Sequence, residues 1–270
     1  TGTNVIIGGT GADTITGGDG ADTLTGGNGV DTFVFDADDS ASIAAASDAS
    51  TGTDTISDFV KATDKIKITG QLADGYSNAT DVAIGTANEG TTTSAEAVAG
   101  DFLATVYLAA RDGNVTNGFD TAINMFSSGT TAAFSTAAEA RAATMYDVTL
   151  AAGATVTLGA NADSVTGSST ADTITAGAGA DTVVGGDGDD VFIIGTGDDA
   201  SGESYTGGDG TGDKLDVNAA ADLSNDTIAT MEILDLDASG TAVAVTMTAA
   251  QVAGFGTIIS AASNITTGDI

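Results

Sequence analysis

The sequence contains no cysteine, histidine, proline or tryptophan. Without Cys or His there is no disulfide, no thiol nucleophile, no zinc-type centre and no Ser-His-Asp triad. The missing cysteines do not argue for a reducing compartment, because a secreted protein can be stabilised by metal instead. Basic residues are scarce, 6 against 38 acidic, for a net charge of -32. That balance excludes nucleic acid and anionic membrane surfaces as favoured partners, since both need a basic face. Aromatic residues make up 5% of the 270-residue chain. Its core must therefore be built in thin layers of small and medium side chains, as in a solenoid. No apolar run of about 18 residues could cross a bilayer, and no signal-peptide pattern opens the chain. Beginning at Thr1 rather than Met, it is read as a segment of a longer protein; if it is exported, its address lies outside this segment or is of an unusual kind.

What is present is aspartate and glycine. The acids are 33 Asp and 5 Glu, set among 38 Gly. A bias toward disorder would recruit Glu and Lys as well. Asp is the shorter carboxylate, favoured in turns and as a ligand of hard cations.

The Asp and Gly fall on a period of nine. Gly8-Gly9-Thr10-Gly11-Ala12-Asp13-Thr14-Ile15-Thr16 is followed at once by a copy on Gly17, Gly18, Gly20, Asp22 and Leu24, then by one on Gly26, Gly27, Gly29, Asp31 and Phe33. Gly fills positions one, two and four, Asp fills six, and an apolar residue fills eight. Asn4 and Ile6 hold the same register ahead of them. The pattern returns with Asp163, Asp172, Asp181, Asp190 and Asp199 spaced by nine, and with Val165, Ile174, Val183 and Phe192 in the apolar slot. Gly177 and Gly179 precede Asp181. The fullest copy of this group is Gly185-Gly186-Asp187-Gly188-Asp189-Asp190. A stretched copy carries Gly207, Gly208, Gly210 and Asp213. The copies around Asp163, Asp172 and Asp199 lack one or more Gly. A flexible Gly-rich linker would keep neither the glycine register nor the apolar eighth position.

Each copy has a physical reading. Gly permits a tight turn at positive φ that a Cβ would resist. The three residues from Asp onward are extended, with the apolar one pointing inward. Two copies make one flattened turn, so loops of alternate copies stack along each edge. Asp13 then approaches Asp31, Asp163 approaches Asp181, and Asp172 approaches Asp190. Carboxylates brought together repel by ~1 kcal/mol at 4 Å in water, and more in drier surroundings. A hard dication with six to eight oxygen ligands removes that repulsion. Every ligand this chain can offer is oxygen, and Mg²⁺ prefers to keep its waters in a strict octahedron. Several Ca²⁺ ions are the expected cofactor. The candidate ligands are the loops of Gly9, Gly11 and Asp13; Gly18, Gly20 and Asp22; Gly27, Gly29 and Asp31; Asp163; Asp172; Gly177, Gly179 and Asp181; Gly186, Gly188 and Asp190; Asp199; and Gly208, Gly210 and Asp213.

The Gly-Gly-x-Gly-x-Asp nonapeptide resembles the calcium-binding repeat of the RTX family over roughly residues 1–36 and 158–217. The resemblance implies a calcium-filled parallel β-roll, type I secretion, and folding outside the cell. Asp54-Thr55-Ile56-Ser57-Asp58-Phe59 with Asp64-Lys65-Ile66 looks like the strand pair that closes such rolls in secreted proteases. Asp222-Leu223-Ser224 through Met231-Glu232-Ile233-Leu234-Asp235-Leu236, with Val245 to Val252, looks like repeats of RTX-type bacterial surface-layer proteins.

The expected fold class is all-β, a parallel β-roll or β-helix solenoid with Ca²⁺ in the turns, interrupted by a small mixed strand and helix insertion. The expected organisation is a first block at 1–40, a strand-rich spacer with short helices at 41–150, a second block at 151–217, and continuing or capping strands at 218–270. Within the spacer, 54–59 and 64–68 alternate as half-buried strands, 136–145 reads as a short helix, and 95–110 fits either period. Asp36, Asp38, Asp39, Asp74 and Asp112 read as solvated turn carboxylates, and Lys61, Lys65, Lys67 and Lys214 as surface counter-charges.

No catalytic residue is expected, because no cluster of Glu, Tyr and Arg accompanies the paired carboxylates. The expected function is structural: a calcium-binding segment of a secreted bacterial surface-layer protein that folds and self-assembles on extracellular Ca²⁺. Its expected partners are copies of itself bridged by Ca²⁺, with cell-surface polysaccharide or lipopolysaccharide reserved for another region. A secretion and folding module of an RTX enzyme or toxin, or a calcium-dependent adhesin, stands as the alternative.

Overall fold

A computed structural model describes residues 2–18, 20–36, 54–60, 62–72, 82–86, 103–108, 121–127, 137–236, 243–260 and 264–267. Asp38, Asp39, Lys61, Asp74 and Asp112 lie outside the described residues. The described residues fall into two compact units, one running to Met145 and the other beginning at Tyr146.

In the first unit the nonapeptides alternate between two walls. On one wall β1 (Val5–Thr10), β3 (Thr23–Asn28) and β5 (Asp54–Phe59) pair in parallel. On the other, β2 (Thr14–Thr16), β4 (Thr32–Asp36) and β6 (Lys65–Leu72) do the same. The apolar eighth positions face inward: Leu24 and Phe33 are fully buried, with Ile15 almost so. Strands β5 and β6 continue the stack, burying Ile56, Phe59, Ile66 and Ile68, and the Phe59 ring meets Phe33 at 6.1 Å. Each such side chain contributes ~1.5–3 kcal/mol by leaving water, so the thin core is assembled one layer per copy. The roll thus runs on past the glycine repeats to Leu72. β7 (Val82–Thr86), β8 (Leu103–Leu108) and β9 (Thr121–Ser127) form an antiparallel extension, and β9 joins β5 in parallel. The part of 95–110 that is described is therefore a strand. Helix α1 (Ala137–Ala143) occupies the Ala-rich stretch expected to be helical.

The second unit repeats the plan at greater length. One wall is β10 (Thr144–Leu150), β12 (Ser164–Thr166), β14 (Thr182–Asp187), β16 (Ser204–Asp209) and β19 (Thr227–Ala229). The other is β11 (Thr155–Thr157), β13 (Thr173–Thr175), β15 (Val191–Ile194), β17 (Lys214–Val217), β20 (Ile233–Asp235) and β22 (Thr257–Ile259). All these pairings are parallel. Val165, Ile174, Val183, Phe192, Tyr205, Leu215 and Leu234 fill the interior. A third small sheet joins β18 (Ala221–Asp222), β21 (Ala244–Met247) and β23 (Asn264–Thr267). A 3-10 turn spans Leu223–Asn225, and helix α2 (Ala249–Gly254) opens with a Thr248/Gln251 capping box.

The architecture is the expected all-β parallel roll, with few helices. No helix among the described residues is long and apolar enough to cross a membrane.

Candidate metal sites

The residue just before the paired triplet of each roll strand forms a rung, and most rungs are tied by one repeated hydrogen bond. Along most of both edges the backbone N–H of a rung donates to a side-chain oxygen of the next rung on the same edge. Thus the Asp13 amide donates to Asp31 Oδ1 at 3.0 Å, eighteen residues away, and the Asp31 amide to Asp64 Oδ1 at 3.1 Å. On the opposite edge Asn4 donates to Asp22 Oδ1 at 2.6 Å and Asp22 to Asp54 Oδ1 at 2.8 Å. The second unit follows suit. Tyr146 donates to Asp163 and Asp163 to Asp181, each at 2.8 Å. Ala154 donates to Asp172 at 2.6 Å, Asp172 to Asp190 at 2.7 Å, and Asp190 to Asp213 at 2.8 Å. Charge-assisted bonds of this kind are about twice as strong as neutral ones.

The other carboxylate oxygen sets apart two kinds among these rungs. Oδ2 of Asp13, Asp22, Asp181, Asp190 and Asp213 is buried with no hydrogen-bond donor. In the remaining kind, an amide of the same loop fills that need. Gly159 donates to Asp163 Oδ2 at 3.3 Å, Ser168 to Asp172 Oδ2 at 2.6 Å, and Val60 to Asp64 Oδ2 at 2.8 Å.

Backbone conformation explains the difference. Each of these donors stands four residues before its acid, the second position of the repeat. In the loops of Asp13, Asp22, Asp181 and Asp190 that position is Gly at positive φ, Gly9, Gly18, Gly177 and Gly186, and in the stretched loop of Asp213 the second-position Gly208, five residues ahead, is also at positive φ. Ser168 and Val60 do not adopt it, because a Cβ makes positive φ costly; Gly159 does not adopt it either. The first position matters too. A Cβ on Gly8 would lie 2.6 Å from Asp13 Oδ2, and one on Gly17 2.7 Å from Asp22 Oδ2. Glycine therefore keeps a cradle open beside the unpaired oxygen. The fourth position also turns at positive φ in Gly11, Gly20, Gly29, Gly179 and Gly188, whereas Gly210 in the stretched loop does not. Gly27, ahead of Asp31, has φ 100°, and its amide and that of Gly26 are gripped by the two oxygens of Asp58 at 2.8 and 2.9 Å.

A buried carboxylate oxygen without a partner costs several kcal/mol. The electrostatics agree. Burial foremost, then the neighbouring carboxylates, pushes Asp181 and Asp190 up to about 6. Asp213 is raised by burial and by Glu232 and Asp189. Burial also pushes Asp163 up to about 8, against the amide bonds that lower it. A cation at the free Oδ2 atoms relieves both penalties. The donor set is oxygen only, anionic, and framed by glycine loops, which fits Ca²⁺. Loops tipped by Asp13, Asp22, Asp181, Asp190 and Asp213 are the residues that would hold it. Asp163 and Asp172 belong to loops whose carboxylates are already saturated by amides.

Asp199 does not take a rung. The partner of Ser164 and Thr182 on that wall is Ser204, so the rung is Glu203, followed by Asp226. On the opposite wall Glu232 takes the rung after Asp213, and its Oε2 accepts the Asp213 amide at 2.9 Å. Asp54, Asp64, Glu203, Asp226 and Glu232 are rungs without the full glycine signature. Their common signal is an acid followed by a strand triplet with an apolar centre, as in Asp54-Thr55-Ile56-Ser57 and Glu203-Ser204-Tyr205-Thr206. Lys214 is a counter-charge, as its position suggested: its Nζ lies 3.3 Å from Asp216 and 3.4 Å from Asp235.

Fold and loops together define a parallel β-roll with oxygen-lined glycine loops on its edges. Residues 1–33 and 159–200 match the family model of the RTX calcium-binding nonapeptide repeat, in four copies, and these two blocks are RTX repeats. Searches of curated proteins and of solved structures gave no match.

Proposed function

We propose that this chain is a structural segment of a bacterial surface-layer protein that folds on extracellular Ca²⁺ and assembles with copies of itself. RTX repeats are calcium-binding and typical of secreted proteins, which supports an extracellular place of work and export by a type I system. The observation that carries the calcium dependence of this reading is the row of buried, unpaired Oδ2 atoms on Asp13, Asp22, Asp181, Asp190 and Asp213.

The mechanism is a folding switch. At low cytosolic calcium the aspartate rungs repel one another and the chain stays extended for export. Outside the cell, a site filled at 100 times its dissociation constant adds about 2.7 kcal/mol to folding. A few such sites together rival the ~5–15 kcal/mol that holds an ordinary domain. Calcium on the roll edges then also serves as the bridge between neighbouring copies. The resemblance of 222–252 to surface-layer repeats, and a composition rich in Ala, Gly and Thr suited to bulk production, favour this identity over a module attached to an enzyme.

Electron microscopy of the purified chain is the test. Ordered two-dimensional sheets should form with Ca²⁺ and disperse on chelation. A chain that folds with Ca²⁺ yet stays monomeric at high concentration would move the assignment to a secretion and folding module.

A further inference from the structure

The second unit contains a cluster of acids that the nonapeptide loops do not use. Asp199, Glu203 and Asp226 each bring a carboxylate oxygen within 4.8 Å of the other two. Glu203 is 1% exposed and Asp226 8%. Asp199 Oδ1, Asp226 Oδ2 and both oxygens of Glu203 are buried with no hydrogen-bond partner. The remaining oxygens are committed to the backbone. Asp199 Oδ2 accepts the Asp222 amide at 2.7 Å, and Asp226 Oδ1 accepts those of Gly202 and Glu203 at 2.9 and 3.1 Å. Each aspartate thus spends one oxygen on the fold and turns the other into the cluster, while Glu203 turns both.

The contrast with Glu232 isolates what is unusual. Both glutamates occupy rungs of the roll. Glu232 makes the ordinary rung bond to the Asp213 amide, whereas Glu203, one methylene longer than the aspartate it replaces, makes none. The Tyr205 hydroxyl and the Ala200 amide approach Glu203 and only partly offset its desolvation, which pushes it up to about 8. Asp181, whose Oδ2 is also unpaired, precedes it on the same edge, with Asp198 beside Asp181.

We propose that Asp199, Glu203 and Asp226 form a further calcium site, separate from the glycine loops, that fastens the 195–203 loop to the 3-10 turn at 223–225. Four free oxygens on three carboxylates, one of them able to bind through both, suit a large hard dication with a high coordination number. Mg²⁺ would keep most of its waters and has little use for a buried carboxylate offering both oxygens. The site falls where the turn lengthens: the Asp172–Asp190 rung bond spans 18 residues, and the Asp190–Asp213 bond spans 23. A cation there ties the extra loop residues to the roll. This stands apart from the surface-layer reading and does not depend on lattice formation.

The experiment compares the full chain with Glu203→Gln, which keeps the size and removes the charge, by counting bound calcium after gel filtration. Glu203→Gln should bind about one ion fewer. It should melt lower than wild type with Ca²⁺, and no lower in EGTA. An unchanged count, or equal losses of melting temperature with and without Ca²⁺, overturns the proposal. Asp22→Asn serves as the reference for the glycine loops. If it lowers the count while Glu203→Gln does not, the loops bind calcium and this site does not. Should Glu203→Gln fail to fold, Tyr205→Phe with Tb³⁺ in place of Ca²⁺ gives an independent reading. Tyrosine-sensitised Tb³⁺ emission should fall at equal bound Tb³⁺, and emission equal to wild type overturns the proposal.

Discussion

The backbone N–H of Asp172 donates to Asp190 Oδ1 at 2.7 Å, while Asp190 Oδ2 is buried with no protein donor. One carboxylate thus has two functions on two atoms: one oxygen ties successive turns of the roll, and the other offers itself to a cation. Asp190→Asn keeps an oxygen for the amide and removes the charge. It should lower the calcium count and the stability of the calcium-loaded chain, with little loss in EGTA. Asp190→Ala removes both functions and should cost a further 1–3 kcal/mol, roughly, in either condition. Denaturant melts with and without Ca²⁺ separate the two, and identical behaviour of the two variants would contradict the division of labour.

Asp172 supplies the opposite case, because the Ala154 and Ser168 amides occupy both its oxygens. Asp172→Asn should leave the number of bound ions unchanged. It should reduce stability by about 1–3 kcal/mol equally with Ca²⁺ and with chelator. Elemental analysis showing a lost ion would return Asp172 to the calcium ligands.

Gly186 sits at φ 107°, and a Cβ there would run into the Ser168 carbonyl of the preceding turn. Gly186→Ala should therefore destabilise the second unit by about 1–3 kcal/mol from backbone strain, with the steric clash adding to it. The urea midpoint measures this. A midpoint equal to wild type would mean that the close stacking of loops is not required.

The calcium-free chain should show an unusual dependence on pH. Burial raises Asp181 and Asp190 to about 6, and Asp163 to about 8, in the folded state, against about 3.9 in an unfolded chain. The folded state then binds protons more tightly. The stability this supplies is complete below the unfolded value and is lost as pH rises through 6 and on to 8. In EGTA the melting temperature should fall between pH 5 and 8. With Ca²⁺ the order reverses, because the ion binds the deprotonated carboxylates. Melts followed by circular dichroism check both slopes, and a rise with pH in EGTA would contradict the burial of these acids.

The roll was legible in the sequence because the repeat writes geometry directly into residue type. Asp13, Asp22 and Asp31 with Leu24 and Phe33 announce loop, rung and core at fixed spacing. Strands β5 and β6 were legible from alternation, and α1 from its alanines. The rungs at Glu203, Asp226 and Glu232 were not, since an insertion breaks the nine-residue count after Asp190 and Glu replaces Asp. Counting by nines puts Asp199 on the ladder, whereas register puts Glu203 there. Nor does residue type reveal which carboxylates are saturated. That depends on whether the amide four residues earlier turns toward the acid, as at Ser168, or away, as at Gly186.

Far-UV circular dichroism of the purified chain during titration with EGTA bears most directly on the role of the cation. The buried Oδ2 atoms require the strand signal to melt at progressively lower temperature as calcium is withdrawn and to regain its stability when calcium is restored. A strand signal whose melting temperature does not move through complete chelation would show that the aspartate rungs stack without ions.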